Sequence, residues 1–429
     1  MTRVELSLQE GILLRNISVG RLTAVPTVCL LAVTLCLSAD QTQGVPGRID
    51  GRRFPIVAWG EAPRDQRHLK LMYEAGFNVA GFCSAGDLDL IGAAGLQCLV
   101  SDASGYDWRN LPTDDVLTAQ LENLIRVASK PAALGIFLRD EPDASMFKGL
   151  SRVASKIRAL SSTLLPVINL FPAYAESGQM KTRDYNEYLT TFVETVDVPL
   201  LSYDNYSVRN GRLDDSFFGN LQAVGDVASR RKIPFWVCIL ASTFDDYMEP
   251  SDATLGAQAF AALASGARGI AYYKYISSDL GNFRDAPIDW FGDTTLTYEM
   301  VRRLNFQINA LALVMTAFTP VGVYHFPTVP QGCRPLADSK YIAAITVSSG
   351  RNDSSSHGEF LEGEFAGPAG VVYSLLVNKD LSRSYQFEVK LRSGAPPISI
   401  VSSMSGKERP IRPGLEWIAP GAGVLLRLR

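Results

Sequence analysis

The sequence predicts an α/β fold in which a (β/α)8 TIM barrel precedes a small all-β sandwich. Strand-like apolar runs alternate with amphipathic helical patterns eight times between residues 54 and 313. The helical patterns then stop near Thr319, and short strand-like runs separated by turn residues take their place. An open doubly wound sheet is the alternative. It is disfavoured because no Gly-rich phosphate loop follows the first strand, where residues 54–61 read Phe-Pro-Ile-Val-Ala-Trp-Gly-Glu.

The elements follow one another in order along the chain. The eight predicted strands are short apolar runs, several of them preceded by Gly or Pro: 54–59, 77–82, 97–101, 133–138, 166–170, 199–203, 234–240 and 269–274. The helical patterns cover 65–75, 88–94, 115–129, 145–160, 185–196, 217–229, 252–264 and 294–313. We therefore expect a barrel domain over 54–318. A sandwich domain is expected over 319–429, with strands at 341–347, 370–377, 384–391, 398–402 and 423–428 and a polar loop at 351–358.

Composition excludes several classes of function. The chain has 41 basic and 44 acidic residues, with no basic block of the kind that binds nucleic acid, and its 47% hydrophobic residues suffice for a large core. It contains three histidines, none of which follows a predicted barrel strand, so a His-based triad or a His-rich metal site is disfavoured. The cysteines after residue 40 match no zinc pattern and are expected to be free, buried hydrophobic residues. We expect no metal and no cofactor.

Residues 1–39 resemble a secretory signal peptide. An uncharged run of 16 residues, 22–37, follows Arg15 and Arg21, and small residues after it offer a cleavage site near Ser38 or Ala39. A membrane-spanning helix needs about 20 residues, so this run is short for a span. The protein is therefore expected to be secreted or periplasmic, with no membrane span left after cleavage. An uncleaved signal anchor is the alternative.

The most informative stretch is the end of the fourth strand. An apolar run at 135–138 is followed directly by Arg139, Asp140, Glu141 and Pro142. Three charges at the tip of a buried strand are costly unless they pair or face a polar cavity. One interpretation is an ion pair of Arg139 with a carboxylate that caps the next helix. The other is a catalytic acid at the mouth of the barrel, where active sites of this fold lie.

Aromatic and polar side chains follow the other predicted strands. Aromatic faces stack on sugar rings, while carboxylates and amides bind hydroxyl groups, so this composition points to a carbohydrate. For each aromatic residue, core packing is the alternative. Asp245 and Asp246 are expected in a solvated loop, and Lys274 is open to an ion-pair, electrostatic or Schiff-base role. The expected substrate-binding residues are Trp59, Glu61, Arg139, Asp140, Asn169, Tyr203, Tyr206, Tyr273 and Trp290.

Several motifs together resemble those of the clan A glycoside hydrolases, and most closely a family 42-like group of secreted barrels. They are Arg139-Asp-Glu-Pro142 after strand four, Asp204-Asn-Tyr206 after strand six, and an Ala-Ser-Gly-Ala-Arg-Gly-Ile run at 264–270 before an aromatic strand. The tail at 419–426 resembles the closing strand of the sandwich appended to such enzymes. The resemblance covers most of residues 54–429.

The resemblance implies that Glu141 is the general acid/base of a secreted glycoside hydrolase that cleaves O-glycosidic bonds of oligo- or polysaccharides. The sequence departs from the family after strand seven, where no carboxylate stands at the tip, and at Asp140, where many members have Asn. Asp204 is nominated as the second catalytic carboxylate, with Glu61 and Glu249 behind it.

Two other functions remain open. A non-catalytic carbohydrate-binding barrel would explain the absent strand-seven carboxylate. An aldolase- or lyase-like barrel would use Lys274, but no Gly-rich phosphate loop follows strands seven and eight. The sugar, the linkage, the stereochemical outcome and the oligomeric state are not determined by the sequence.

The leader generates the first testable prediction. N-terminal sequencing of the mature, exported protein should begin close to Asp40, because the uncharged run and the small residues after it form a cleavable signal. An intact Met1 on soluble protein from the cytoplasm would contradict it.

Overall fold

The computed structural model describes residues 54–278, 282–349, 358–392 and 397–428. The predicted leader and most of the predicted loop at 351–358 lie outside these residues. Eight parallel strands close into a barrel in chain order, with the first strand paired to the eighth. They are β1 Ile56–Ala58, β2 Val79–Cys83, β3 Gln97–Val100, β4 Ala133–Asp140, β5 Leu165–Leu170, β6 Leu201–Asp204, β7 Phe235–Leu240 and β8 Gly269–Tyr273. The closed barrel confirms the predicted fold and excludes the open sheet.

A helix follows each barrel strand, as predicted. They are α1 Gln66–Glu74, α2 Leu88–Ala93, α3 Asp114–Ala128, α4 Phe147–Leu160, α5 Tyr185–Thr195, α6 Asp215–Arg231, α7 Asp252–Ala264 and α8 Leu296–Met315. Two smaller elements interrupt this order, a one-turn helix at Ser177–Met180 and a hairpin of Val208–Arg209 with Arg212–Leu213. Short 3-10 turns lie at Ala85–Asp87, Ala144–Met146, Leu336–Asp338 and Pro368–Gly370.

Alternation along the strands divides the barrel core into two layers. Side chains such as Leu99, Val167 and Trp236 point inward and fill the lumen. Their neighbours, such as Val100 and Ile168, point outward and pack under the helices. Both layers are apolar, which explains why the strands are continuous hydrophobic runs in the sequence.

Two antiparallel sheets follow the barrel. Their strands are β9 Thr319–Phe326, β10 Ile342–Ser348, β11 Phe360–Ala366, β12 Val372–Asn378, β13 Tyr385–Leu391, β14 Ser399–Val401, β15 Glu408–Pro410, β16 Trp417–Ile418 and β17 Gly423–Arg427. The six-stranded sheet has the order β9-β11-β12-β17-β14-β15, and the three-stranded sheet has the order β10-β13-β16. Side chains such as Phe360, Leu376 and Phe387 form an apolar cluster shared by the two sheets, as the predicted sandwich requires.

The larger sheet packs closely against helix α7 of the barrel. A Cβ atom added to Gly363 on β11 would lie 2.1 Å from the carbonyl oxygen of Ala264. Gly421, at φ +63°, comes equally close to the carbonyl oxygen of Ala253 at the other end of the helix. Backbone contact at both ends of α7 therefore requires glycine on the sheet side.

The sandwich contains two fully buried carboxyl groups on β11. Ser374 donates to Glu362 at 2.6 Å, and Ser339 donates to Glu364 at 2.6 Å. Burial, reinforced by the charge of Glu364, raises the pKa of Glu362 well above its usual value. Charged residues inside an apolar sheet hide its strand pattern, and β11 was not predicted from the sequence.

One expectation about the cysteines is wrong. Cys83, at the end of β2, and Cys98, on β3, form a disulfide with Cα atoms 6.4 Å apart. The two residues are 15 positions apart in sequence, and only the pairing of neighbouring barrel strands brings them together. Cys238 and Cys333 are free, as expected.

The structure also bears on membrane association. Within the residues that the structure describes, no helix has both the length and the apolar character needed to cross a bilayer.

The contact between α7 and β11 generates a stability prediction. Gly363→Ala should lower the free energy of unfolding by about 1–3 kcal/mol, because the new methyl group must displace backbone rather than a flexible side chain. Urea unfolding measures the change. The control is Gly105→Ala, where an added Cβ meets no atom within 4 Å. Equal stability of the two variants would contradict the close packing.

Candidate active site

The strand-four motif lies at the carboxyl end of the barrel, and its backbone is irregular. The register of β4 against β5 shifts between Phe137 and Arg139, and Glu141 follows the strand with φ +44°. A side chain other than glycine rarely adopts this conformation, and it persists only where the surroundings hold it. The Glu141 N–H donates to the carbonyl of Asn169 at 2.8 Å, and the Tyr188 hydroxyl donates to the carbonyl of Pro142 at 2.7 Å. These bonds hold the tip in place.

Asn169, at the end of β5, connects two of the carboxyl groups. Its Nδ2 donates to Asp140 Oδ1 at 3.0 Å and to Asp204 Oδ1 at 2.8 Å. Its Oδ1 accepts from the Ser202 hydroxyl at 2.9 Å. These bonds bring the predicted residues Asp140, Asn169 and Asp204 into one cluster. Only 1% of Asn169 is exposed, so it acts within the cluster rather than as the substrate-binding surface expected of it.

Glu141 belongs to the same cluster. Burial, together with the negative charge of Asp140, raises the pKa of Glu141 to about 7. The side chain is half-buried, so it combines access to the mouth with a partly apolar surrounding. A carboxyl group with this pKa is protonated in a large fraction of molecules at neutral pH, which is what a general acid requires.

The ion pair that the alternative interpretation requires is not formed. Within the described ranges, neither Arg139 nor Glu141 takes part in an ion pair shorter than 4.0 Å. Asp143 caps the following turn instead by accepting from the Ser145 N–H at 2.9 Å, and it pairs with Arg109 and Lys181. Arg139 acts on Asp140 at longer range, where its charge opposes the rise in that carboxyl's pKa.

Asp204 and Asp140 have different surroundings. Asp204 is 6% exposed, and burial, followed by the charges of Glu141 and Asp140, raises its pKa well above the usual value. Solvent reaches Asp140 from the mouth, although desolvation by nearby protein atoms still raises its pKa, against the bond from Asn169 and the charge of Arg139. We therefore expect Asp140 to lose its proton first and Asp204 last. This argues against Asp204 as the ionised second carboxylate, for which it was nominated from the sequence.

Aromatic side chains form a wall beside the carboxyl groups. The rings of Tyr206 and Tyr273 stack with centroids 5.0 Å apart. The Tyr206 hydroxyl donates to Cys238 Sγ at 3.7 Å, and the Tyr206 N–H donates to the hydroxyl of Tyr174 at 3.4 Å. Burial raises the pKa of Tyr273 to about 12, so its hydroxyl stays neutral and can donate. Tyr206 and Tyr273 thus lie where the sequence predicts substrate contacts.

A cavity of about 520 Å³ lies between the ends of β1 and β8. Trp290 is 58% exposed and flanks it, whereas Trp59 is mostly buried by edge-on contacts with Phe82 and Phe137. The charged side chains that line it belong to Glu61 and Lys274. The space accommodates a sugar-sized ligand between an aromatic face and hydrogen-bonding groups.

Lys274 and the acidic residues of the loop after β7 lie outside the carboxyl cluster formed by Asp140, Glu141 and Asp204. The Lys274 ammonium lies 4.6 Å from the centre of the Phe283 ring in a half-buried position, short of the full burial that a Schiff-base amine requires. Asp245 and Asp246 are exposed, as expected, and Asp246 pairs with Arg209. Glu249 is also exposed. In the part of the chain that the structure describes, no group of three or more His, Cys, Asp or Glu residues is placed to hold a metal ion.

Tyr203 does not lie at the surface of the mouth, as its predicted role in substrate binding requires. It is fully buried and points outward into the layer under the helices. Alternation on β6 explains this, because Ser202 and Asp204 face the lumen and the residue between them must face the other way. The same alternation would have identified Ser202 and Cys238 as residues of the site, which sequence reasoning missed.

The raised pKa of Glu141 generates a prediction about stability and pH. The carboxyl has a pKa near 4.5 when unfolded and about 7 when folded, so the folded state loses stability as the pH rises between these values. Glu141→Gln removes this loss. The variant should therefore gain about 1–2 kcal/mol relative to the parent between pH 5 and pH 8, after allowance for solvent screening. Urea unfolding at the two pH values measures the gain.

The exposed Glu122 on α3 provides the matched control, as Glu122→Gln should show no such gain. A Glu141→Gln variant that is less stable at both pH values would indicate a structural ion pair.

Known proteins resemble this chain only at low sequence identity, and only among solved structures. No protein-family model matches the chain, and no curated protein does either. Similar solved structures include the GH5_18 protein of Streptomyces cattleya in complex with Manb1-4GlcNAc, at 11% identity and TM-score 0.44, covering 58% of this chain and 80% of that one. The exo-beta-1,4-mannosidase Op5Man5 of Opitutaceae bacterium strain TAV5 has 17% identity and TM-score 0.44, with 61% and 60% covered. The endo-beta-1,4-mannanase of Thermotoga petrophila has 10% identity and TM-score 0.42, with 79% and 97% covered. Similarity at this level establishes neither a family nor an activity for this chain.

Proposed function

We propose that the protein is a secreted glycoside hydrolase that cleaves O-glycosidic bonds of oligo- or polysaccharides. The observation that carries this is the cluster of Asp140, Glu141 and Asp204 at the carboxyl end of the barrel, joined through Asn169. Glycoside hydrolysis requires one carboxyl group that is protonated and another that is ionised. The different surroundings of the three groups supply both forms at the same pH.

Glu141 is the general acid in this proposal. It is half-buried, outside any ion pair shorter than 4.0 Å within the described ranges, and has a pKa of about 7. It donates its proton to the glycosidic oxygen as the bond to the anomeric carbon breaks. The left-handed backbone of Glu141, at φ +44°, is held by the hydrogen bond from its N–H to the carbonyl of Asn169, so the carboxyl group has a fixed origin at the mouth.

Asp140 is the ionised carboxylate in this proposal, in place of Asp204. It is solvent-accessible and lies near Arg139, whereas burial raises the pKa of Asp204 well above its usual value and favours its protonated form. An ionised Asp140 stabilises the positive charge that develops on the sugar ring and accepts the proton of the attacking water. Glu61, which lines the cavity beside Trp290, is the other carboxylate able to take this role.

Substrate binding falls to the aromatic residues at the mouth. Tyr206 and Tyr273 present stacked rings beside the carboxyl groups, and Trp290 offers an exposed face at the cavity next to β1. Such faces bind the apolar side of a sugar ring.

Secretion is supported by the disulfide between Cys83 and Cys98, because disulfides persist in oxidising compartments outside the cytoplasm. The signal-like composition of residues 1–39 supports it independently.

A non-catalytic carbohydrate-binding barrel is the second candidate function. The end of β7 favours it, because Ala241, Ser242 and Thr243 are buried and uncharged where a nucleophilic carboxylate would be expected from the family resemblance. The same aromatic wall would then bind a sugar without cleaving it. A Lys274-based lyase is disfavoured, because the ammonium group lies half-buried over Phe283.

Leaving-group dependence tests the role of Glu141. Glu141→Gln should lower kcat by about 10²–10⁴-fold on β-linked oligosaccharides, whose leaving oxygen must be protonated. The loss should be much smaller on activated aryl glycosides, whose leaving groups depart without a proton. Steady-state kinetics on the two substrate types measures the difference.

Glu122→Gln, which changes an exposed carboxyl on α3, should leave both rates unchanged. An equal loss on both substrate types would remove Glu141 from the acid role. If the unmutated protein binds oligosaccharides but hydrolyses none, the binding barrel is the function.

A further inference from the structure

We propose that Ser202 and Asn169 form a positioning pair that keeps Asp140 ionised at the mouth and thereby determines the pH at which Glu141 gives up its proton. The inference rests on the proposed function and extends it to two residues that are themselves shielded from the substrate.

Asn169 uses both of its side-chain donors on carboxyl groups. A side-chain amide has two N–H donors, and both are used here, one on Asp140 at 3.0 Å and one on Asp204 at 2.8 Å. With 1% of its surface exposed, Asn169 has no free donor and almost no surface for a ligand. Its effect on any reaction must therefore pass through the two carboxyl groups.

Ser202 fixes the orientation of the Asn169 amide. Rotation by 180° would turn the amide oxygen toward the Asp140 carboxylate and the amide nitrogen toward the Ser202 hydroxyl, so Asn169 could no longer donate to Asp140. The hydroxyl of Ser202, itself 2% exposed, donates to Oδ1 at 2.9 Å and so holds the nitrogen toward the carboxyl groups. Ser202 and Asp204 lie on the same face of β6, so a single strand carries both the support and one of the groups supported.

The Asn169 amide affects the pKa of Glu141 through the charge of Asp140. A hydrogen bond from an amide stabilises the ionised form of a carboxyl group. The bond to Asp140 therefore favours a negative charge directly before Glu141 in the chain. That charge is one of the two causes of the raised pKa of Glu141, the larger being burial. Loss of the amide should leave Asp140 protonated to higher pH and allow Glu141 to ionise at lower pH.

Other titratable groups near the cluster do not compete in this range. Burial raises the pKa values of the neighbouring tyrosines and of Cys238, so these groups stay neutral between pH 4 and pH 8. The titratable groups that belong to the cluster or lie within reach of its charges are Arg139 and Asp140 from β4, Asp204 from β6, Cys238 from β7, Tyr273 from β8, Tyr188 and Tyr185 from α5, Tyr206 from the loop after β6, Tyr174 from the loop after β5, and the outward-pointing Tyr203 of β6.

The test uses Asn169→Leu, which keeps the branching at Cγ and removes the donors, and Ser202→Ala, which is the milder change. Carboxyl ¹³C NMR titration of each variant follows Glu141, whose signal is assigned by its absence in Glu141→Gln. In Asn169→Leu the Glu141 signal should titrate about one pH unit lower, and in Ser202→Ala it should move in the same direction by less. The alkaline limb of kcat/KM against pH should move by the same amount.

The control is Asn305→Ala. Asn305 is equally buried and donates to the carbonyl of Ala75 at 2.8 Å, far from any carboxyl of the cluster. It should lower the melting temperature and leave the Glu141 titration unchanged, which separates a positioning role from a purely structural one.

The outcomes distinguish this inference from the proposed function. If the Glu141 signal titrates at the parent pH in both variants while hydrolysis persists, the positioning pair is overturned and the glycoside hydrolase stands. If the signal shifts as expected but no variant, nor the parent, hydrolyses a glycoside, the pair stands and the proposed function is overturned. Should Asn169→Leu fail to fold, Ser202→Ala alone decides in the same way.

Discussion

The hydrogen bonds of one buried amide hold the mouth of the barrel together. Asn169 connects the ends of three neighbouring strands, because it donates to Asp140 from β4 and Asp204 from β6 and accepts from Ser202. Without these bonds, close carboxyl groups at the edge of an apolar lumen would be driven apart by desolvation and by their mutual repulsion. Burial raises the pKa of Glu141 to about 7, so this carboxyl is protonated in a large fraction of molecules at neutral pH, and the proposed reaction depends on that proton.

The sandwich packs against the barrel through helix α7. Its larger sheet packs against α7, where Gly363 and Gly421 allow backbone contact with the helix. Helix α7 leads into β8, which carries Tyr273 at its end. The packing of the sheet is therefore linked to the aromatic wall through one buried helix. The buried carboxyl groups of Glu362 and Glu364 lie inside the sandwich, on a separate part of the fold.

Sequence patterns predicted the barrel because its strands are buried on both sides. A continuous apolar run such as 235–240 is typical of a strand that is buried on both faces, and the structure forms β7 at Phe235–Leu240. The parallel arrangement then brings strand ends together, so Asp140, Glu141 and Asp204 could be predicted as neighbours. The pattern within a strand does not show which residue lies opposite it on the neighbouring strand, so the disulfide between Cys83 and Cys98 could not be predicted. The strand β11 was missed because Glu362 and Glu364 interrupt its apolar pattern, and Tyr203 was misassigned because residue type was weighed above alternation.

The central claim is that a protonated Glu141 beside an ionised Asp140 hydrolyses glycosidic bonds. The most direct measurement is the pH dependence of kcat/KM for the unmutated protein on a panel of α- and β-linked oligosaccharides. The account predicts a bell-shaped profile whose alkaline limb lies near pH 7, where Glu141 loses its proton. Activity that keeps rising to pH 9, or no hydrolysis at any pH, would contradict it.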